Sequence, residues 1–323
     1  MAQALTGPDD RMVVVAGKSS AADGVVTLTL ERERGGRLPD WTPGAHIDLV
    51  LPDGSVRQYS LCGDRWDPRR YRIAVLKEPP VSDGASGSCY IHDRLKAGDV
   101  LGVGGPRNNF PLVPSDRFLF IAGGIGITPL LPMIVQADLL GVDWTLLYAG
   151  RSRSTMAFLT ELAGYGDRVR VFAGDAGERA DLAGWLSEAR PGTRVYCCGP
   201  DRLLAAVRAG CAAWPAHSLH TERFTPAEQS AAVVGGPFEV ELARTGATVT
   251  VGPGVSVLDA ARGAGASVLS SCRRGLCGTC ETTVLDGRPD HRDSLLEDDE
   301  RVHGDSMFVC VSRSAGGRLV LDL

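Results

Sequence analysis

The stretch Ser271–Cys280, SCRRGLCGTC, sets three cysteines at C-x4-C-x2-C, and a fourth, Cys310, follows after twenty-nine further residues. A zinc site, a pair of disulfides and the cradle of an iron–sulfur cluster are all open to such a cluster. The rest of the chain narrows them. Its 323 residues suit two or three domains rather than one core. Hydrophobic residues at 44% and charged ones at 23% are ordinary for a globular protein. A net charge of −5 argues against nucleic acid as the partner, because a phosphate backbone needs clustered Lys and Arg. No stretch approaches the roughly 18 apolar residues of a membrane span. The opening MAQALTGPDDRMVVV lacks a basic region followed by an apolar one. No membrane partner or secretory signal is therefore expected, and the default location is cytoplasmic. In that compartment cysteines are thiols or metal ligands more often than disulfides.

Three segments differ in pattern. Up to about Pro114 the chain reads as short strands with turn punctuation: RMVVVAGKS, GVVTLTLER, HIDLVL, VRQYSL and YRIAVLKE. Such spacing suggests a small barrel or sandwich. The second segment alternates strands (RFLFIAGG, WTLLYAG, RVRVFAG, RVYCCGP) with helices (TPLLPMIVQADLLG, FLTELAGYG, DLAGWLSEA, DRLLAAVRAGCAAW), the mark of βαβ units and a mostly parallel sheet. The small, polar stretch Thr225–Gly236 reads as a linker. The third segment opens with two strands, PFEVELART and ATVTVG, turning at Thr245-Gly246, and a helix from about Val257 that Ser256 and Asp259 cap.

Within this third segment, C-x4-C-x2-C with a distant fourth cysteine is the plant-type [2Fe–2S] spacing. Four thiolates must converge on a dianionic rhomb, and a loop holding Gly275 and Gly278 can turn backbone N–H groups toward the sulfurs. Structural zinc prefers two short C-x2-C pairs, so zinc stays as the alternative. In FLFIAGGIGITPLLPM a buried strand meets Gly123, Gly124 and Gly126, then Thr128 as an N-cap and Pro129 as the first helical residue. Glycines there let a pyrophosphate approach the backbone at a helix N-terminus, although the run does not match G-x-G-x-x-G. A second turn, Cys198-Gly199-Pro200, ends another strand of the same sheet. Near the N-terminus, Arg57-Gln58-Tyr59-Ser60 offers an arginine for a phosphate and two side chains for a ring system. GASGSCY, Gly84 to Tyr90, adds a glycine–serine turn with free donors.

These motifs in this order resemble the ferredoxin–NADP reductase superfamily along essentially the whole chain, and more narrowly the phthalate dioxygenase reductase family, which includes vanillate demethylase reductases. The resemblance implies a multidomain chain: an antiparallel β-barrel flavin domain (1–114), an α/β parallel-sheet nucleotide domain (115–225), a linker (226–236) and an α+β β-grasp ferredoxin domain (237–323). It implies an NADH-dependent flavin iron–sulfur oxidoreductase that uses FMN and a [2Fe–2S] cluster. Arg57, Gly87 and Ser88 would hold the FMN phosphate, Tyr59 would pack on the flavin, and Ser60 would approach N5. Val75 and Lys77 would line the cofactor, and Phe224 would shield it. Gly123, Gly124, Gly126 and Thr128 would bind NAD, with Arg151 and Ser152 further along the nucleotide. Cys198, Gly199 and Pro200 would face the nicotinamide, so Ser60 and Cys198 are the catalytic candidates. Cys272, Cys277, Cys280 and Cys310 would ligate the cluster. GPRNNF, Gly105 to Phe110, matches the link between the first two domains.

The partner implied is the terminal component of a Rieske-type oxygenase, with a cytochrome P450 as the alternative acceptor and a monomer as the expected state. A different class, a nucleotide-binding regulatory protein holding zinc, is the remaining alternative. One departure concerns the nucleotide. Where an NAD site often carries an acid for the ribose 2′-OH, the chain reads YAGRSRS, with Arg151 and Arg153. Arginines suit a 2′-phosphate, so NADPH stays open beside NADH. Residues 236–323 hold 13 acidic and 9 basic residues, a net of −4, which would steer a basic acceptor patch. His46 reads as structural, His291 as a loop anchor, and Glu297–Glu300 as a solvated acidic run. Cys62, Cys89, Cys197 and Cys211 read as small apolar core residues.

Overall fold

Alternating apolar residues in the first segment build six antiparallel strands: β1 (Met12–Ala22), β2 (Val25–Arg32), β3 (His46–Val50), β4 (Val56–Ser60), β5 (Arg70–Leu76) and β6 (Val100–Arg107). The computed structural model describes residues 12–79, 87–224, 236–296 and 298–323, with the backbone alone at 298 and 299. They fall into two units, divided between Glu222 and Arg223. The strand order is β4-β3-β6-β1-β2-β5. A bridge from Leu61 to Ile73 closes the sheet into a barrel. Val13, Val15, Leu28, Leu30, Ile47, Leu49, Ile73 and Val75 point inward, every second residue of their strands, and fill it. The sequence pattern missed β6 because it is rich in glycine. Those glycines serve close packing: a Cβ on Gly102 would lie 3.1 Å from Val50 Cβ, and one on Gly104 3.3 Å from Asp48 Oδ2. The expected glycine–serine turn is corrected in part. Gly84–Ser86 lie outside the described residues, but Gly87 and Ser88 open a helix, α1 (Gly87–Asp93).

The second segment forms five parallel strands, β7 (Arg117–Gly123), β8 (Asp143–Gly150), β9 (Val169–Ala173), β10 (Thr193–Cys198) and β11 (Leu219–Glu222), in the order β11-β10-β7-β8-β9. Its helices are α2 (Ile127–Leu139), α3 (Leu159–Ala163), α4 (Leu182–Leu186) and α5 (Asp201–Gly210). In β7 every residue after Arg117 is buried, as expected of a strand covered on both faces. Side-chain alternation divides the core into two layers. Phe118, Phe120, Tyr148, Tyr196 and Cys198 pack with α2 and with Val25, Cys62 and Ala74 of the barrel. Leu119, Ile121, Val195 and Cys197 pack with Leu186, Leu204 and Val207. The joint between barrel and sheet is fastened by Tyr196, whose hydroxyl donates to Pro111 O (3.0 Å) and accepts from Val113 N–H (2.7 Å). Upstream, Asn108 Nδ2 donates to Thr42 Oγ1 at 2.7 Å.

Three helices and one cap need correction. Thr128 is not an N-cap and Pro129 is not the first helical residue. Gly124–Gly126 already form a 3₁₀ turn that runs into α2, Gly126 stands at the cap with helical φ −62, and Thr128 Oγ1 donates to Ile125 O. The helix expected over Phe158–Gly166 shrinks to Leu159–Ala163, because Phe158 is left-handed at φ 65. That over Asp181–Ala189 covers only Leu182–Leu186, with Asp181 Oδ1 accepting from Gly184 N–H at 3.0 Å. The helix expected to reach Trp214 ends at Gly210. Cys62, Cys197 and Cys211 are core residues as expected. Cys89 is not: it is half-buried, and its Sγ donates to Glu78 O at 3.3 Å.

The last segment is a mixed sheet of β12 (Phe238–Leu242), β13 (Ala247–Val251), β14 (Glu281–Asp290), β15 (Ser306–Phe308) and β16 (Arg313–Leu321), ordered β13-β12-β16-β14-β15. First and last strands pair in parallel at its centre and the rest are antiparallel, the β-grasp arrangement. Helices α6 (Val257–Gly263) and α7 (Asp298–His303) complete it. Ser256 caps α6, its Oγ accepting from Asp259 N–H at 3.0 Å. Gly246, at φ +69, makes the expected turn. The proposed linker, apart from Gly236, lies outside the described residues. Among the described residues no helix is long and apolar enough to cross a membrane.

Candidate functional site

At the carboxyl edge of the parallel sheet, β7 and β10 are neighbours, and their two turns pack backbone against backbone. A Cβ on Gly126 would lie 2.3 Å from Cys198 O, one on Gly199 2.9 Å from Gly123 Cα, and one on Gly123 2.7 Å from Pro200 Cδ. Three of the four glycines are thus accounted for by the contact between the turns. Gly124 differs: its φ is +54 and nothing lies within 4 Å of a Cβ there, leaving open space before the backbone. Cys198 is fully buried in the layer shared with the barrel, and burial, followed by the Glu222 charge, raises its thiol well above the ordinary value. Arg151 and Arg153 are exposed at the end of β8. Ser152 between them braces the next turn through Thr155 Oγ1 at 3.1 Å.

Sequence reasoning missed Glu222. It stands opposite Cys198 in the β10–β11 register, and its Oε2 is buried with no hydrogen-bond partner among the described residues. Burial pushes its carboxyl up to about 8, so it holds a proton at neutral pH. The signal was the ERF triplet, in which only Phe224 drew attention. Phe224 belongs to the second unit and is 38% exposed.

On the barrel, Arg57 and Gly87 meet: a Cβ on Gly87 would lie 2.7 Å from Arg57 Nε. Gly87 leaves the room in which the arginine lies along the start of α1, a cradle suited to an anionic group. Ser88 is buried, and its Oγ accepts from Glu78 N–H at 3.0 Å. Tyr59 packs against the barrel core and Ser60, at the end of β4, is 5% exposed. Val75 is wholly buried, while Lys77 is turned outward to Asp93 at 2.6 Å. His46, opposite Ser60, has its ring pushed down to about 4 by burial and then by Arg107.

In the second unit the four clustered thiols come as two pairs. The neighbouring Cys272 thiol holds Cys277 below the ordinary thiol value, and Cys280 likewise lowers Cys310. Backbone N–H groups point at the sulfurs. Those of Arg274 and Leu276 reach Cys272 Sγ at 3.3 and 3.4 Å. Among the described residues no three Cys, His, Asp or Glu side chains converge on a single-ion site. Two thiol pairs under a canopy of N–H donors fit a two-iron rhomb, one pair for each iron, better than one tetrahedral zinc. Part of the acidic charge of this unit is held in ion pairs, among them Arg318–Glu241, Arg244–Asp322 and Arg292–Asp290.

A 2Fe-2S iron-sulfur cluster binding domain model matches residues 240–315, taking in all four cysteines. The solved structure of phthalate dioxygenase reductase is 36% identical, superposes with a TM-score of 0.70 and covers 97% of both chains. The chain belongs to the phthalate dioxygenase reductase family. It is accordingly an NADH-dependent flavin iron–sulfur oxidoreductase using FMN and a [2Fe–2S] cluster. Phenoxybenzoate dioxygenase subunit beta of Ectopseudomonas oleovorans is 44% identical over 304 residues, 94% of each chain. An intact type IV self-sufficient cytochrome P450 monooxygenase has a 43% identical region with a TM-score of 0.88, covering 98% of this reductase. The reductase spans 41% of that P450's length.

Proposed function

We propose that this reductase supplies electrons from NADH to the terminal component of a Rieske-type oxygenase. The observation that carries the reading is the likeness to a dioxygenase subunit over 94% of both chains. Bound FMN would supply the conversion of a two-electron hydride donor into single electrons for the cluster. The chain's own residues bind and orient. Arg57 and Gly87 would hold the FMN phosphate with Ser88 beside them, and Tyr59 and Ser60, at the end of β4, would meet the ring. The open backbone at Gly124 receives the NADH pyrophosphate, and Gly123, Gly126, Gly199 and Pro200 fix the turns on either side. The buried Cys198, with Glu222 opposite it, would underlie the nicotinamide site at the end of β10. Cys272, Cys277, Cys280 and Cys310 hold the cluster.

A cytochrome P450 acceptor is the second reading, favoured by the likeness to the self-sufficient P450. Stopped-flow mixing of NADH-reduced reductase with a Rieske-type terminal component and, separately, with a P450 distinguishes them. Reduction at least ~10-fold faster for the Rieske component is expected. Reduction of the haem alone would transfer the assignment to the second reading, and reduction of neither would remove the oxygenase assignment.

A further inference from the structure

Behind the cysteine loop lies a polar cluster that the electron path does not use. The side chains of His291 and Asp293 are 6% and 0% exposed. Asp293 Oδ2 accepts from the N–H groups of Leu295 (3.0 Å) and Leu296 (2.9 Å). Arg301, from α7, spreads its guanidinium over three carbonyls: Nη2 to Asp293 O (2.8 Å), Nε to Leu296 O (2.9 Å) and Nη1 to His291 O (3.4 Å). His291 closes the cluster, its Nδ1 3.8 Å from Asp293 Oδ1 and neither ring nitrogen hydrogen-bonded among the described residues.

This loop grips the ligand set at two points. Ser294 N–H donates to Gly275 O at 3.0 Å. Gly275 is left-handed at φ +68, and a Cβ there would lie 2.9 Å from Asp293 Cα, so the two loops touch at backbone distance. Arg292 N–H donates to Ser312 Oγ at 3.2 Å, two residues beyond Cys310. The amides on either side of Gly275, those of Arg274 and Leu276, donate to Cys272 Sγ at 3.3 and 3.4 Å.

We propose that Arg301 and Asp293 are positioning residues that, by locking the 291–296 loop onto Gly275, fix the turn whose Arg274 and Leu276 amides donate to the Cys272 sulfur and so set the potential of the cluster. The inference rests on the cluster being held by these four cysteines. Hydrogen bonds to the sulfurs stabilise the more electron-rich reduced state and raise its potential. Loosening the loop therefore lowers it. Arginine is required for its fork: a lysine keeps the charge but cannot bind three carbonyls at fixed geometry.

The test is an equilibrium redox titration of full-length holoprotein, followed by EPR of the reduced cluster, with the flavin midpoint and iron content read on the same samples. Arg301→Lys and Arg301→Gln are both expected to lower the cluster midpoint, with the flavin midpoint and iron content as in the wild type. A wild-type midpoint in the fully loaded Lys variant, whatever the Gln variant does, would overturn the positioning role and leave at most a charge effect. Loss of iron from both, with the loaded remainder at the wild-type midpoint, would overturn it equally and reduce the loop to scaffold. A wild type without a plant-type EPR signal would instead remove the cluster reading on which the inference rests.

Discussion

At the scale of single residues the chain carries one ionisable group its sequence did not advertise. Glu222 is an ordinary acid in the string ERF, and only the β10–β11 register places it against Cys198. Its native carboxyl value of about 8 lies above the ordinary 4.5. The native state thus keeps a proton that the unfolded chain releases. The stability this contributes is whole below about pH 4.5 and is lost as pH rises through about 8. Glu222→Gln should remove that loss: urea midpoints of wild type and variant are expected to diverge in the variant's favour between about pH 5 and pH 9. The same substitution should flatten the pH dependence of flavin reduction by NADH near pH 8, with a rate ~10-fold lower or more. Unchanged pH profiles in both measurements would return Glu222 to the background.

At the scale of elements, sequence patterning found strands and helices where local signals are strong and missed them where tertiary contact decides. The run RFLFIAG is a buried parallel strand on any reading, and Ser256 caps its helix as its spacing suggests. By contrast β6 is a barrel strand despite its glycines, because neighbouring strands press close there, and Thr128 lost its capping role to a 3₁₀ turn upstream. The glycines of the nucleotide loop were legible as a motif, but their separate duties were not. Gly126→Ala drives a Cβ into a backbone carbonyl 2.3 Å away and should cost about 3 kcal/mol, with weaker NADH binding as the turns part. Gly124→Ala meets open space and should cost only about 1 kcal/mol, the strain of its left-handed backbone. Urea unfolding of the two variants measures both, and equal losses would contradict this division of roles.

At the scale of the molecule, the order of motifs conveyed three sheets of the right kinds, while the clasp formed by His291, Asp293 and Arg301 depends on contacts between distant turns that no spacing reveals. The four thiols lie in the second unit and the barrel and parallel sheet in the first. Cys310→Ser should therefore abolish the iron–sulfur bands and transfer to the terminal oxygenase component, yet leave flavin bleaching by NADH within about twofold of wild type. Loss of flavin reduction in that variant would contradict the separation. The exposed arginines at 151 and 153 put the nucleotide preference to the same optical test. The most direct measurement of the electron path is an anaerobic titration of the purified full-length chain with NADH and then NADPH, followed by visible absorption and EPR. Overlapping flavin and iron–sulfur bands that bleach with NADH, and an EPR signal from a reduced [2Fe–2S] cluster, are the expected result. A colourless protein carrying zinc, or a flavin that bleaches while a fully loaded cluster stays oxidised, would contradict it.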